Sequence, residues 1–202
     1  NWAVWGLDFL SRYDPDPLRY YLTINMPEMR DTDWDWQDFH SRNNDELVAT
    51  WGNLANRVLS FAYKHWHGVV PDPGELVSLD QRLLDTIEGG FETVGKELEA
   101  VHLRAALGEA MRLASEVNKY LDQTAPWTAI KTDETAAARS IYTALRAIDS
   151  LKILFAPFLP FSSERLHAFF AYTHPIFGET CVDPVQDTLG AVSYTHLTLP
   201  TI

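Results

Sequence analysis

The sequence predicts an all-α protein, a helical bundle with a small N-terminal element. Three observations support this fold class. Apolar residues recur at helical spacing over several long stretches, the connections between those stretches are short, and segments with the alternating pattern of strands are almost absent. A length of 202 residues with 46% hydrophobic residues is enough for one large domain with a small appendage.

Two short helices are predicted first, at residues 5–13 and 17–25. They are separated by an Asp-Pro-Asp-Pro stretch whose last member, Pro17, suits the first turn of a helix. Pro27 ends the second helix, and residues 32–36 suit a short extended piece that leads into the bundle.

Longer helices follow, with a clear loop at residues 71–74 and a short turn opened by Pro126 and Trp127. Ser78 and Ser162 head stretches that resemble helix caps, and a Gly-Gly pair weakens the middle of the second long helix. These helices are predicted at residues 38–67, 78–98, 101–123, 132–155 and 162–172.

Composition and charge exclude several classes of protein. A net charge of −12 argues against broad, sequence-independent binding of nucleic acid, so any RNA contact must be local and specific. No apolar run is long enough to cross a bilayer, and the N-terminus lacks a signal pattern. With a single cysteine, Cys181, we expect no disulfide framework, a cytoplasmic location and no membrane partner. The chain has no initiator Met, so we expect it to be a piece of a longer protein.

The usual catalytic signatures are missing from this sequence. It has no Gly-rich phosphate loop, no Gly-x-Ser-x-Gly elbow and no His-Glu-x-x-His helix. Ser162 and Ser163 fit a helix cap better than a nucleophile, and His65 and His67 lie on different faces of one helix. We therefore predict no catalytic residue, no metal site and no cofactor site in this stretch.

One constellation has the chemistry of a recognition site. Asn53 and Arg57 lie four residues apart in a helical run, so their side chains share one face. Trp127, after Pro126, could place an indole beside that face. An amide, a guanidinium and an aromatic plane are the groups that hold one unpaired nucleobase. On spacing alone, an exposed polar pair and a tryptophan packed at a helix end explain these residues better.

Several motifs, in order, resemble the C-terminal part of methionyl-tRNA synthetase, a class I aminoacyl-tRNA synthetase. The first resembles the segment that follows the family's KMSKS loop, and two others resemble its Asn-x-x-x-Arg and Ala-Pro-Trp motifs. The resemblance covers about residues 1–190. The motifs lie at residues 12–22, 36–39 with 42–47, 52–57, 122–127 and 154–163.

This resemblance implies roles for the recognition residues. In the family, the residues that match Asn53, Arg57 and Trp127 bind the anticodon of methionine tRNA, above all its first base, cytosine; Pro126 would support them. The expected partners are the anticodon loop of methionine tRNA and the catalytic domain of the same protein. The parent would be a methionine–tRNA ligase that uses ATP with Mg²⁺, whereas this fragment would be inactive alone.

The resemblance also implies a division into domains. Residues 1–36 would form a stem-contact element after the missing catalytic domain, and residues 37–172 the α-helical anticodon-binding domain. Residues 173–202 are expected to be irregular, and within them residues 191–202 match nothing expected of the family and resemble a non-native tail.

Two alternatives stay open at this point. The first is the corresponding bundle of a valyl-, leucyl-, isoleucyl- or cysteinyl-tRNA synthetase, although Ala-Pro-Trp combined with Asn53 and Arg57 favours methionine. The second is a non-catalytic helical scaffold that binds protein. It would show an exposed apolar stripe and no affinity for tRNA.

Overall fold

The computed structural model describes residues 4–27 and 31–177, and in these residues every regular element is a helix. The predicted all-α fold class is therefore confirmed. The predicted tail at residues 191–202 and Cys181 lie outside the described residues. The elements are α1 Gly6–Leu10, α2 Pro15–Ile24, α3 Trp36–Ser41, a π-helical segment Arg42–Gly52, α4 Asn53–Trp66, α5 Ser78–Glu99, α6 Leu103–Thr124, α7 Pro126–Ala129, α8 Glu134–Phe155 and α9 Pro160–Phe169.

The first long helix runs without a break through α3, the π-helical segment and α4, and its middle part has the wider turns of a π-helix. Asp35 caps its start, because its carboxylate accepts the backbone N–H groups of Gln37 at 2.7 Å and Asp38 at 3.0 Å. In the π-helical segment the buried positions are Asn43, Leu47 and Trp51, spaced by four. In these wider turns, positions four residues apart stay on one face of the helix. The segment continues directly into α4, whose first residue is Asn53.

Helices α5, α6 and α8 form the centre of the bundle. The predicted weak point at Gly89-Gly90 does not interrupt α5. A Cβ atom on Gly90 would overlap the Leu113 side chain on α6 and lie 3.2 Å from Leu154 on α8. Glycine at this position therefore lets α5 approach both helices closely, which offsets its low helix propensity.

Asp80 organises the start of α5. Its buried carboxylate accepts the Val77 N–H at 2.8 Å and the Tyr120 hydroxyl at 2.7 Å, and lies 3.3 Å from Nε of Arg139 on α8. Burial raises the pKa of Tyr120, and the hydrogen bond to Asp80 acts in the same direction. The cap predicted around Ser78 is thus supplied by Asp80, which also joins α5 to α6 and α8.

Helix α2 is fixed to the corner between α8 and α9. The Asp16 carboxylate accepts the N–H of Ser162 at 2.6 Å and that of Phe161 at 3.4 Å. Arg19 donates to the carbonyl oxygens of Phe158 at 2.9 Å and Pro157 at 2.8 Å. The cap predicted at Ser162 and Ser163 is therefore wrong: α9 starts at Pro160, and its cap comes from the distant Asp16.

Tyr20 of α2 belongs to the same core as the later helices. Only 1% of its surface is exposed, and its hydroxyl donates to Glu46 at 2.9 Å. The N-terminal element therefore packs on the bundle instead of standing apart from it. The division at residue 36 stays a prediction.

Candidate nucleic-acid interface

Arg57 and Trp127 are brought together from two helices. The guanidinium carbon of Arg57 on α4 lies 4.7 Å from the centroid of the Trp127 ring on α7. The turn that makes this contact possible is at Ala125, which ends α6 in the left-handed conformation with φ 41° and ψ 55°. Pro126, which is buried, then starts α7 and sends the next side chain back toward α4.

Trp127 is half-buried and packs against α4. The Phe61 ring lies 5.0 Å from it at an angle of 87°, a T-shaped contact. The Arg57 guanidinium covers the ring itself. The indole thus packs against Phe61, and the exposed side chain of Arg57 lies over its ring.

Asn53 lies one turn before Arg57 on the same flank of α4, and both side chains are exposed. Within residues 4–27 and 31–177, neither side chain has a hydrogen bond or an ion pair. The amide and the guanidinium thus keep their donors, and the amide its acceptor, for a ligand. The structure brings Arg57 and Trp127 into contact and places Asn53 one helical turn away.

The charge around these residues differs from that of the chain as a whole. The chain has 28 Asp and Glu residues, yet none falls in residues 47–71, which include α4, or in residues 123–132, which include α7. Lys64 on α4 and Lys131 just after α7 are exposed, and neither has an ion-pair partner in the described part of the chain. These two stretches therefore carry cations and no acid in a protein whose net charge is −12.

Sequence reasoning identified Asn53, Arg57 and Trp127 but missed their neighbours Phe61, His65 and the two lysines. A signal for them was present in the sequence. Positions 53, 57, 61 and 65 continue one spacing of four along α4, and the stretch around them has no acid.

A cavity of about 440 Å³ lies on the other flank of α4, between the π-helical segment and α9. Its walls include Trp51, Leu159 and Phe169, with Asp14 and Arg165 among its polar residues. None of the proposed recognition residues lines it, so the candidate site is separate from this cavity.

No group of His, Cys, Asp or Glu residues in the described residues could hold a metal ion. In the same residues, none of the helices combines the length and the apolar character needed to span a membrane.

Comparison with known families matches two segments of the chain. Residues 70–196 match the family model described as the anticodon binding domain of methionyl tRNA ligase. The chain belongs to the methionyl-tRNA ligase family. Residues 1–59 match a second model, that of class I (M) tRNA synthetases. Asn53 and Arg57 thus lie in the part matched by the synthetase model, and Trp127 in the part matched by the anticodon model.

Individual methionyl-tRNA ligases match over almost the whole chain. A methionine–tRNA ligase of Thermomicrobium roseum is 53% identical over 190 residues, which cover 94% of this chain and 32% of that protein. One from Chloroflexus aggregans is 55% identical over 188 residues, covering 93% and 31%. The chain therefore spans about a third of the length of the curated relatives it matches.

Solved structures agree with the fold. Methionyl-tRNA synthetase of Mycobacterium tuberculosis in complex with methionyl-adenylate superposes with a TM-score of 0.83 at 26% identity, over 98% of this chain and 39% of that one. The apo form gives 0.82 at 24% identity, over 98% and 40%. These comparisons confirm the predicted family, that of methionyl-tRNA synthetase. They favour it over the two alternatives, the bundle of another class I synthetase and a protein-binding scaffold.

Proposed function

We propose that this chain binds the anticodon loop of methionine tRNA, and that Asn53, Arg57 and Trp127 hold its first base, a cytosine. The observation that carries the proposal is the exposed Arg57 guanidinium, without an ion pair in the described chain, lying on the Trp127 ring beside an equally free Asn53. Pro126 supports the site because it starts the short helix that holds Trp127.

The chemistry of cytosine fits these groups. Its O2 and N3 accept hydrogen bonds and its N4 donates them, so an arginine fork and an asparagine amide can satisfy its edge together. Uracil carries a proton on N3, which would face an arginine donor. One polar group would then be buried without a partner, at a cost of about 1–3 kcal/mol.

The whole protein would be a methionine–tRNA ligase that uses ATP with Mg²⁺ in the cytoplasm, with its catalytic domain on the same polypeptide. The names of the relatives support this proposal, as does the methionyl-adenylate in one matching structure. Residues 1–36 would be the stem-contact element. Asp16 and Arg19 bind it to the junction of α8 and α9 through hydrogen bonds. In the whole protein, these contacts would help to fix the anticodon domain relative to the catalytic domain. This chain alone would not activate methionine.

The deciding experiment is Trp127→Ala in the full-length enzyme that carries this chain. Loss of the stacking surface should lower the efficiency of methionine tRNA aminoacylation by about 5- to 150-fold, since one base–aromatic stack contributes about 1–3 kcal/mol. Methionyl-adenylate formation, measured by pyrophosphate exchange, should stay nearly unchanged.

Two controls make this result interpretable. Trp127→Phe keeps a ring and should retain most of the activity, and Phe161→Ala removes an exposed ring on α9, away from the site, without effect. Equal losses in both assays for Trp127→Ala would identify Trp127 as a packing residue and reject its role in recognition.

A further inference from the structure

The flank of α4 that carries Asn53 and Arg57 continues with two rings. Phe61 and His65 follow at the same spacing of four residues, and each such step advances about 6 Å along a helix. The Phe61 ring lies 5.0 Å from the Trp127 ring, and the His65 ring lies 4.3 Å from the Phe61 ring at an angle of 40°. Trp127, Phe61 and His65 thus form one row, which we call the aromatic row.

The outer end of the aromatic row is accessible. His65 is half-buried, and no hydrogen bond to its imidazole is found in the described part of the chain. Phe61 is also half-buried and supports the imidazole from one side. Because residues 47–71 contain no acid, α4 itself adds no negative charge that would repel a polyanion from this ring.

We propose that His65, supported by Phe61, is a second stacking platform, which holds the base next to the one on Trp127. This proposal rests on the function proposed above and adds a binding residue to it. Proteins that bind unpaired RNA stack successive bases on successive aromatic side chains, and the row runs away from Trp127 along α4 in the way such a track requires.

The competing explanation is a structural contact. A ring pair four residues apart on a helix also stabilises the helix without any ligand. The two explanations differ in one respect: only a platform responds to the presence or absence of a particular base.

The test measures binding of RNA hairpins to the 202-residue chain by fluorescence anisotropy. One hairpin has a CAU anticodon loop, and two others lack the base on one or the other side of the cytosine. His65→Ala should weaken binding of the intact hairpin by about 5- to 20-fold, within the range for loss of one stack. His65→Phe keeps a ring and should bind almost as well as the wild type.

The hairpin that lacks the stacked neighbour decides between the two explanations. On that RNA, His65→Ala and the wild type should bind equally, whereas Trp127→Ala should still cost affinity. Tyr63→Ala, which removes an exposed ring from another face of α4, is the matched control and should bind as the wild type does.

Each other outcome overturns the proposal. An unchanged affinity of His65→Ala, or an equal loss on all three hairpins with a lowered melting temperature, leaves His65 as a packing residue while the Trp127 site stands. If the wild type fails to prefer the CAU hairpin over one with an unrelated anticodon, both this proposal and the function on which it rests fail.

Discussion

Arg57 covers the ring of Trp127, with its guanidinium carbon 4.7 Å from the ring centroid. A cation–π contact at an exposed site contributes about 0.5–1 kcal/mol, less than a base stacked on the same ring gains. A base can therefore replace the guanidinium at modest cost. We expect the released Arg57 to lie beside the edge of that base, so that a single exchange would open the stacking surface and supply the donor that reads it.

Arg57→Ala should relax discrimination at the first anticodon position. The wild type should bind a CAU hairpin about 5- to 150-fold more tightly than a UAU hairpin, because uracil leaves one polar group unpaired. The variant should lose most of that ratio. Arg57→Lys should also lose most of the preference for the CAU hairpin, since an ammonium lacks the planar fork of the guanidinium. Competition binding with the two hairpins gives the ratio directly. If Arg57→Ala weakens both hairpins equally, Arg57 contacts phosphate and does not read the base.

Lys64 and Lys131 should act on the phosphate backbone. Both are exposed beside the site, and neither forms an ion pair in the described residues. Changing either to Ala should weaken all hairpins alike and reduce the slope of log affinity against log salt by about 0.7 for each phosphate that the protein no longer neutralises. Arg104→Ala is the matched control, because Arg104 is an exposed cation at the start of α6 that likewise has no ion pair in the described residues. A change in base preference would contradict this assignment.

Residue spacing predicts the local half of the site, whereas only the family resemblance indicates that Trp127 joins it. Helical spacing alone places Asn53 and Arg57 on one flank. The contact of Arg57 with Trp127 depends on the left-handed turn at Ala125, a conformation that alanine rarely adopts and that no local pattern indicates. The fold class followed from periodicity. The cap of α9 did not, because its acceptor Asp16 is 146 residues away from Ser162 in the chain.

Asp16→Ala should destabilise the protein. It removes the acceptor for the first turn of α9, and such changes cost about 0.5–2 kcal/mol. The loss should lie toward the upper end, since Asp16 is 2% exposed and water replaces its carboxylate poorly. Denaturant unfolding measures the change in the free energy of unfolding. Asp14→Ala is the control: its exposed carboxylate lies 3.9 Å from Arg165, a surface pair that contributes at most about 1 kcal/mol. Equal effects of the two variants would show that the cap is not what stabilises this corner.

His167 lies in a buried cluster at the end of α9. Its ring stacks on Tyr172 with 4.2 Å between centroids, and its Nε2 donates to the carbonyl oxygen of His174 at 3.0 Å. Burial lowers the pKa of His167 below its ordinary value of 6.5; the positive charge of Lys152 acts in the same direction and the carboxylate of Asp149 in the opposite one. The folded protein therefore binds this proton less readily than the unfolded chain does.

That difference predicts a loss of stability in acid. As the pH falls below about 6.5, the unfolded chain takes up a proton on this imidazole before the folded protein does, so the free energy of unfolding falls; above about pH 7 both states are neutral and the effect vanishes. Thermal melts between about pH 5 and about pH 7.5 should show a smaller dependence in His167→Gln than in the wild type, because glutamine can still donate to the His174 carbonyl but does not titrate. His40→Gln, which removes an exposed imidazole on α3, serves as the control. If it flattens the profile as much as His167→Gln does, or if His167→Gln melts in parallel with the wild type at every pH, the buried imidazole does not carry the effect.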